Sequence, residues 1–181
     1  MTQNLRVHGG ELSGRRLSTP RGIRPSQGIV KEAIFNVLAA ELEGRRVIDL
    51  FAGSGALGIE ALSRGAERAT FVESDPQVVA VLKRNLAALG LDGRARVVTG
   101  DAARWAELHP AEVGEADLVL LDPPYGDAGL LAEVLAGLDL AARGTVVVEW
   151  AGKVQLPKLE RLHVRRDRTY GATRLTILSP R

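Results

Sequence analysis

Between residues 46 and 150, short apolar runs alternate with stretches of helical spacing, and this alternation admits very few folds. RVIDLF (46–51), RATFVES (68–74), RARVVTG (94–100), DLVLLDPP (117–124) and GTVVVEW (144–150) read as strands. Between them, ALGIEALSR (56–64), PQVVAVLKRNLAALG (76–90) and AGLLAEVLAGL (128–138) read as helices, with a further short helix after residue 100. Strands joined by helices imply parallel βαβ units with right-handed crossovers, hence an α/β fold with an open, doubly wound sheet. RLHVRRDR (161–168) and ATRLTILSP (172–180), parted only by a short turn, should close the sheet to seven strands as an antiparallel pair. Upstream, residues 27–42 carry apolar side chains at helical spacing. The glycine- and proline-rich residues 4–26 suggest a β-hairpin arm. We therefore expect a basic N-terminal arm over 1–26 and one main domain over 27–181.

In such a sheet ligands bind beyond the carboxyl ends of the strands, so the residues there carry the function. After the first strand, DLFAGSGALG places Gly53, Gly55 and Gly58 in a G-x-G-x-x-G pattern between strand and helix. That loop fits a pyrophosphate, a nucleoside or a tight structural turn. Asp49 weighs against a pyrophosphate, because a carboxylate there repels phosphate and attracts a cationic amino group. Glu73, ending the second strand, can accept hydrogen bonds from both hydroxyls of a ribose, while Ser74 and Asp75 suit a helix cap. Asp101, after the third strand, fits either an adenine amino group or a helix N-cap. The fourth strand runs into Asp122-Pro123-Pro124-Tyr125, a rigid, acidic, aromatic turn.

Cysteine is absent and the three histidines, His8, His109 and His163, are scattered, so neither a thiolate nor a zinc site is expected. No apolar run approaches membrane-spanning length and the N-terminus lacks a signal-like core, which fits a cytoplasmic chain. The net charge is only +2, yet Arg6, Arg15, Arg16, Arg21, Arg24 and Lys31 face a single acid, Glu11, in the first 31 residues. Arg161, Arg165, Arg166 and Arg168 form a second cluster. Two basic ends around a near-neutral middle suit a polyanion such as RNA, or equally a solvated surface.

Taken together, DLFAGSGALG, FVESD, GDA and DPPY resemble the Rossmann-like methyltransferases that use S-adenosylmethionine and release S-adenosylhomocysteine. The Asp-Pro-Pro-Tyr turn is similar to the version that methylates exocyclic amines of bases or side-chain amides. Gly9-Gly10 through Gly14-Arg15 to Leu17, Arg24-Pro25-Ser26, KEAIFNVL (31–38) and Tyr170-Gly171 resemble the RsmD family, which methylates guanine N2 of small-subunit ribosomal RNA. The resemblance spans about residues 6–178, with one departure: Gly28-Ile29 stands where the family usually carries Asp-Arg. It implies a metal-free site whose cofactor lies along Asp49, Phe51, Ala52, Gly53, Ser54, Gly55, Glu73, Ser74, Asp101, Ala102 and Asp122. It implies RNA contacts at Arg6, Arg15, Arg16, Arg21, Arg24 and Lys31, and a monomer acting on the RNA or on a ribosomal subunit.

An exocyclic amine is a poor nucleophile because its lone pair is delocalised into the base. The Asp122 carboxylate and the Pro123 carbonyl could accept its two hydrogens and direct the lone pair at a methyl donor. The prolines hold those acceptors in place, and Tyr125 could stack on a base swung out of the RNA. Trp105, Trp150 and Phe71 are read as core or rim residues. Two other classes compete: an NAD(P)-dependent oxidoreductase, which leaves Asp49 and the acidic turn unexplained, and a non-catalytic RNA-binding protein. Within the methyltransferases, adenine in DNA or RNA, or a protein amide, remains an alternative target.

Overall fold

The computed structural model describes residues 5–19, 28–124, 127–153 and 155–181. Its centre is a seven-stranded sheet in the order β3-β2-β1-β4-β5-β7-β6. The strands are β1 (Arg46–Asp49), β2 (Arg68–Glu73), β3 (Ala95–Thr99), β4 (Leu118–Leu121), β5 (Thr145–Ala151), β6 (Leu162–Tyr170) and β7 (Thr173–Pro180). β1 to β5 pair in parallel, while β7 runs antiparallel to both β5 and β6. β6 therefore points the same way as β4 and ends on the same edge of the sheet. The order reverses beside β1, which opens the crevice at the ends of β1 and β4.

One face carries α1 (Gly28–Leu38), α2 (Ala56–Ser63) and α3 (Pro76–Leu89). The other carries α4 (Ala102–Leu108), α5 (Pro110–Glu115) and α6 (Ala128–Gly137). The single short helix expected after β3 is thus two helices. His109, preceding Pro110, has φ −124° and ψ 50°, because a residue before proline is driven out of the helical region. α3 starts on Pro76 behind an Asp75 cap that accepts from the Gln77 amide, and stops at Gly90 in the left-handed region, φ 69°. All eight residues of α2 are buried, and β4 is buried throughout. Trp105, Trp150 and Phe71 lie in the core.

The N-terminal arm is a minimal hairpin with one bridge, Arg6 to Arg16, extended by hydrogen bonds from the Val7 amide to the Arg15 carbonyl and from the Leu17 amide to the Leu5 carbonyl. Leu5, Val7 and Leu17 are buried in the same core cluster as α1 and α2, so these residues are part of the main packing and not a free appendage.

Candidate functional site

The glycine loop divides its three glycines among three tasks. Gly53, at φ 54°, has no atom within 4 Å of where a Cβ would stand, so its bare side faces open space. Gly55, at φ 85°, is the N-cap of α2 and supplies no capping side chain. A Cβ on Gly58 would stand 2.3 Å from the Phe71 ring, so this glycine lets α2 lie against β2. Asp49 supplies the missing cap: its Oδ2 accepts from the Gly58 amide at 3.0 Å, in the first turn of α2.

Asp49 is 1% exposed, and its Oδ1 has no hydrogen-bond partner among the described residues. Burial raises its pKa to about 7; the Asp122 and Glu73 charges add to the rise, while the Gly58 amide and, weakly, the Phe51 amide oppose it. A buried acceptor with a vacant oxygen and two acidic neighbours is a place for a cation. The residues thus fit S-adenosylmethionine, whose ammonium group would meet Asp49.

Glu73 closes the loop from the neighbouring strand. Its Oε2 accepts from the Gly53 amide at 2.9 Å and its Oε1 from the Asp75 amide at 2.9 Å. The exposed Ser74 donates to Oε1 at 3.4 Å. Asp101 caps α4 through the Arg104 amide at 2.9 Å, which uses one carboxylate oxygen. Ala52, Ser54 and Ala102 are buried, and Phe51 is half-buried against the second core cluster. Asp122 follows β4 directly and is partly exposed, with Pro123 buried and Pro124 exposed. Tyr125 lies outside the described residues.

Of the basic residues, Arg15 and Arg16 are exposed. Arg6 donates to the Gly14 carbonyl and Arg15 to the Ala88 carbonyl, so both also fasten the hairpin. Arg21 and Arg24 lie outside the described residues. Lys31, expected at an RNA surface, is fully buried and donates to the Arg6 carbonyl at 3.0 Å. Its partner is the buried Glu60, 3.9 Å away, which also accepts from the His8 and Gly9 amides and from Arg64. Desolvation lowers the Lys31 pKa and the Glu60 charge opposes that shift.

Two positioning residues, Glu60 and Asn85, escaped the sequence reading. Asn85 donates to the Ser18 carbonyl at 3.0 Å and the Ser54 carbonyl at 2.9 Å, and accepts from the Ser18 amide at 2.8 Å. It thereby ties the end of the hairpin to the glycine loop. Each is a polar residue on an otherwise apolar helical stripe, and that was the signal available.

Comparison with known proteins identifies the family. A family model described as Conserved hypothetical protein 95 matches residues 5–179. YlbH of Bacillus subtilis, provisionally assigned as an rRNA methyltransferase, is 40% identical over 186 residues, covering 98% of this chain and 100% of its own. Ribosomal RNA small subunit methyltransferase D of Escherichia coli is 41% identical over 152 residues, covering 80% of this chain and 74% of its own. Among solved structures, YhhF of Escherichia coli, provisionally assigned as a methyltransferase, superposes with a TM-score of 0.84 at 36% identity, covering 98% of each chain. With the family model matched over almost the whole length, YlbH aligned end to end and methyltransferase D aligned over 80% of the chain, the chain belongs to the RsmD family of methyltransferases.

Proposed function

We propose that this protein transfers a methyl group from S-adenosylmethionine to the exocyclic N2 amine of a guanine in small-subunit ribosomal RNA. The observation that carries the reading is the row of carboxylates at adjacent strand ends, Glu73, Asp49 and Asp122, with Asp49 buried and one of its oxygens vacant. An NAD(P) site would have to set a pyrophosphate beside that buried acid.

Asp49, Gly53, Glu73 and Asp101 would hold the cofactor, together with Phe51, Ala52, Ser54, Gly55, Ser74 and Ala102 along the loops. When bound, it supplies an electrophilic methyl on a sulfonium. Asp122 and the Pro123 carbonyl accept the two amine hydrogens and turn the nitrogen lone pair toward that methyl, and Asp122 then takes the proton that leaves. Tyr125 stacks on the base, and Arg15 and Arg16 hold the phosphate backbone. The same reading has the enzyme acting as a cytoplasmic monomer, on free RNA or on a partly assembled subunit.

The test is transfer from isotopically labelled S-adenosylmethionine to deproteinised small-subunit RNA and, in parallel, to partly assembled subunits lacking the modification. The RNA is then digested and the labelled nucleoside identified. N2-methylguanosine is the expected product. Label on adenine or on protein would keep the site chemistry and discard the substrate. No transfer, with S-adenosylhomocysteine failing to bind, would overturn the reading from the glycine loop onward.

A further inference from the structure

Most arginines whose side chains are described are committed to partners, and the exceptions on β6 stand out. Arg174 forks onto Asp167 and lies 5.0 Å over the Trp150 ring. Arg161 pairs with Asp139, and Arg165 reaches Glu41 at 3.7 Å. Arg166 and Arg168 are exposed and make no ion pair or hydrogen bond among the described residues. They lie opposite Ile177 and Leu175 of β7, and Tyr170 lies opposite Thr173. Cross-strand partners share a face, so Arg166, Arg168 and Tyr170 form one row on the α1 side of the sheet edge, spaced about 6.7 Å apart. Between this row and the end of α1 runs a groove of about 430 Å³, with Val37 and Glu41 on its far wall.

The register places this row relative to the catalytic turn. Leu121 pairs with Val148, so Asp122 stands level with Glu149; Glu149 pairs with Leu175, and Leu175 with Arg168. Arg168 is thus level with Asp122 across β5 and β7, about 14 Å away at 4.7–4.9 Å per strand. Because β6 runs parallel to β4, Tyr170 sits at the catalytic edge and the arginines lead away from it.

We propose that the Tyr170–Arg168–Arg166 row is a docking track for single-stranded RNA flanking the target base, with the arginines on phosphates and Tyr170 under a neighbouring base. Uncommitted arginines in line with an aromatic ring are the composition of a single-strand platform. Edge strands also carry charge to deter pairing with other chains, but that task needs neither a one-faced row nor an aromatic at its catalytic end. The inference rests on the proposed RNA substrate and adds a second contact surface, across the catalytic edge from the hairpin.

The test compares wild-type protein with Arg166→Ala/Arg168→Ala and with a control, Arg68→Ala/Arg143→Ala, at the opposite ends of the strands. Binding of purified small-subunit ribosomal RNA is measured against salt, alongside steady-state transfer and S-adenosylhomocysteine affinity. The β6 double variant should flatten the log–log salt slope by about 1.4, two contacts at roughly 0.7 each, and raise the RNA KM by about tenfold or more. Its kcat and S-adenosylhomocysteine affinity should stay at wild-type values, and the control should match wild type throughout. A wild-type slope and KM in the β6 variant, or a wild-type protein that binds no RNA, overturns the track. If wild type binds RNA with the arginine-dependent slope yet transfers no methyl to it, the track stands and the substrate reading falls.

Discussion

The raised pKa of Asp49 makes a quantitative demand on stability. Unfolded, this carboxyl titrates near 3.8; folded, it titrates at about 7. The folded state therefore holds a proton that the unfolded state gives up between those values. The contribution of this group to stability is fully present below pH 3.8, is lost as the pH climbs to about 7, and is flat above that. At 1.36 kcal/mol per unit, the gap of roughly 3 units corresponds to about 4 kcal/mol in all, of which on the order of 3 kcal/mol falls between pH 4.5 and pH 8.

Asp49→Asn removes the titration while keeping an oxygen for the Gly58 amide. Its new NH2 group takes the place of a carboxylate oxygen and adds a cost that does not depend on pH. Urea melts of both proteins from pH 4.5 to 8, without ligand, isolate the titrating part as the pH dependence of their difference. The variant should gain on wild type by on the order of 3 kcal/mol across that range. Because a bound ammonium lowers the Asp49 pKa, S-adenosylhomocysteine should bind wild type more tightly as the pH rises from 6 to 8, with proton release, and the Asn variant should lose that trend. A difference in stability that stays constant from pH 4.5 to 8 would refute the account of Asp49 as a carboxylate left buried and charged at neutral pH.

Four further perturbations separate the roles within the site. Asp122→Ala should lower kcat by at least about 10²-fold while S-adenosylhomocysteine affinity changes little, since on the proposed reading the side chain acts on the amine; turnover near the wild-type rate would remove it from the chemistry. Gly58→Ala pushes a methyl into Phe71 and should cost about 1–3 kcal/mol in a denaturant melt without altering cofactor affinity. Gly53→Ala meets no atom, costs about 1–2 kcal/mol in backbone strain, and should weaken S-adenosylhomocysteine binding; the reverse pattern would misplace the ligand. Asn85→Leu strands the Ser18 and Ser54 backbone groups, and should destabilise the protein by about 1–3 kcal/mol with a parallel loss of cofactor affinity, read by melts and titration on the same preparation.

Periodicity and strand-end chemistry made the sheet, its antiparallel close and the glycine loop legible in the sequence, because both are local signals. The fate of individual charges was not local. Lys31 was grouped with the hairpin arginines by proximity in sequence, yet Lys31, Phe35, Leu38 and Leu42 follow the same helical spacing that identified α1, and all four are buried. A lysine on that stripe needs a buried partner. The partner, Glu60, is the only charged residue in a helix whose every position is buried. Similarly, the glycine pattern alone could not separate Gly53 from Gly58, since what distinguishes them is Phe71, contributed by another strand.

The sorting of charge across the molecule bears on why an amine and not a phosphate should arrive at Asp122. Glu73, Asp49 and Asp122 occupy neighbouring strand ends, and the Asp122 and Glu73 charges make Asp49 costlier to ionise, so an anion is disfavoured along that stretch of the sheet edge. The exposed hairpin arginines are joined to the glycine loop through Asn85, and the uncommitted Arg166 and Arg168 lie on the far edge strand, Arg168 level with Asp122. On the proposed reading, a backbone held at both places has to bridge the acidic gap without entering it. Only a group without negative charge can reach the floor of the gap. An extruded base presenting an amine, with its hydrogens toward Asp122 and the Pro123 carbonyl, meets that condition, whereas an intact stacked strand, with its phosphates drawn over the carboxylates, does not.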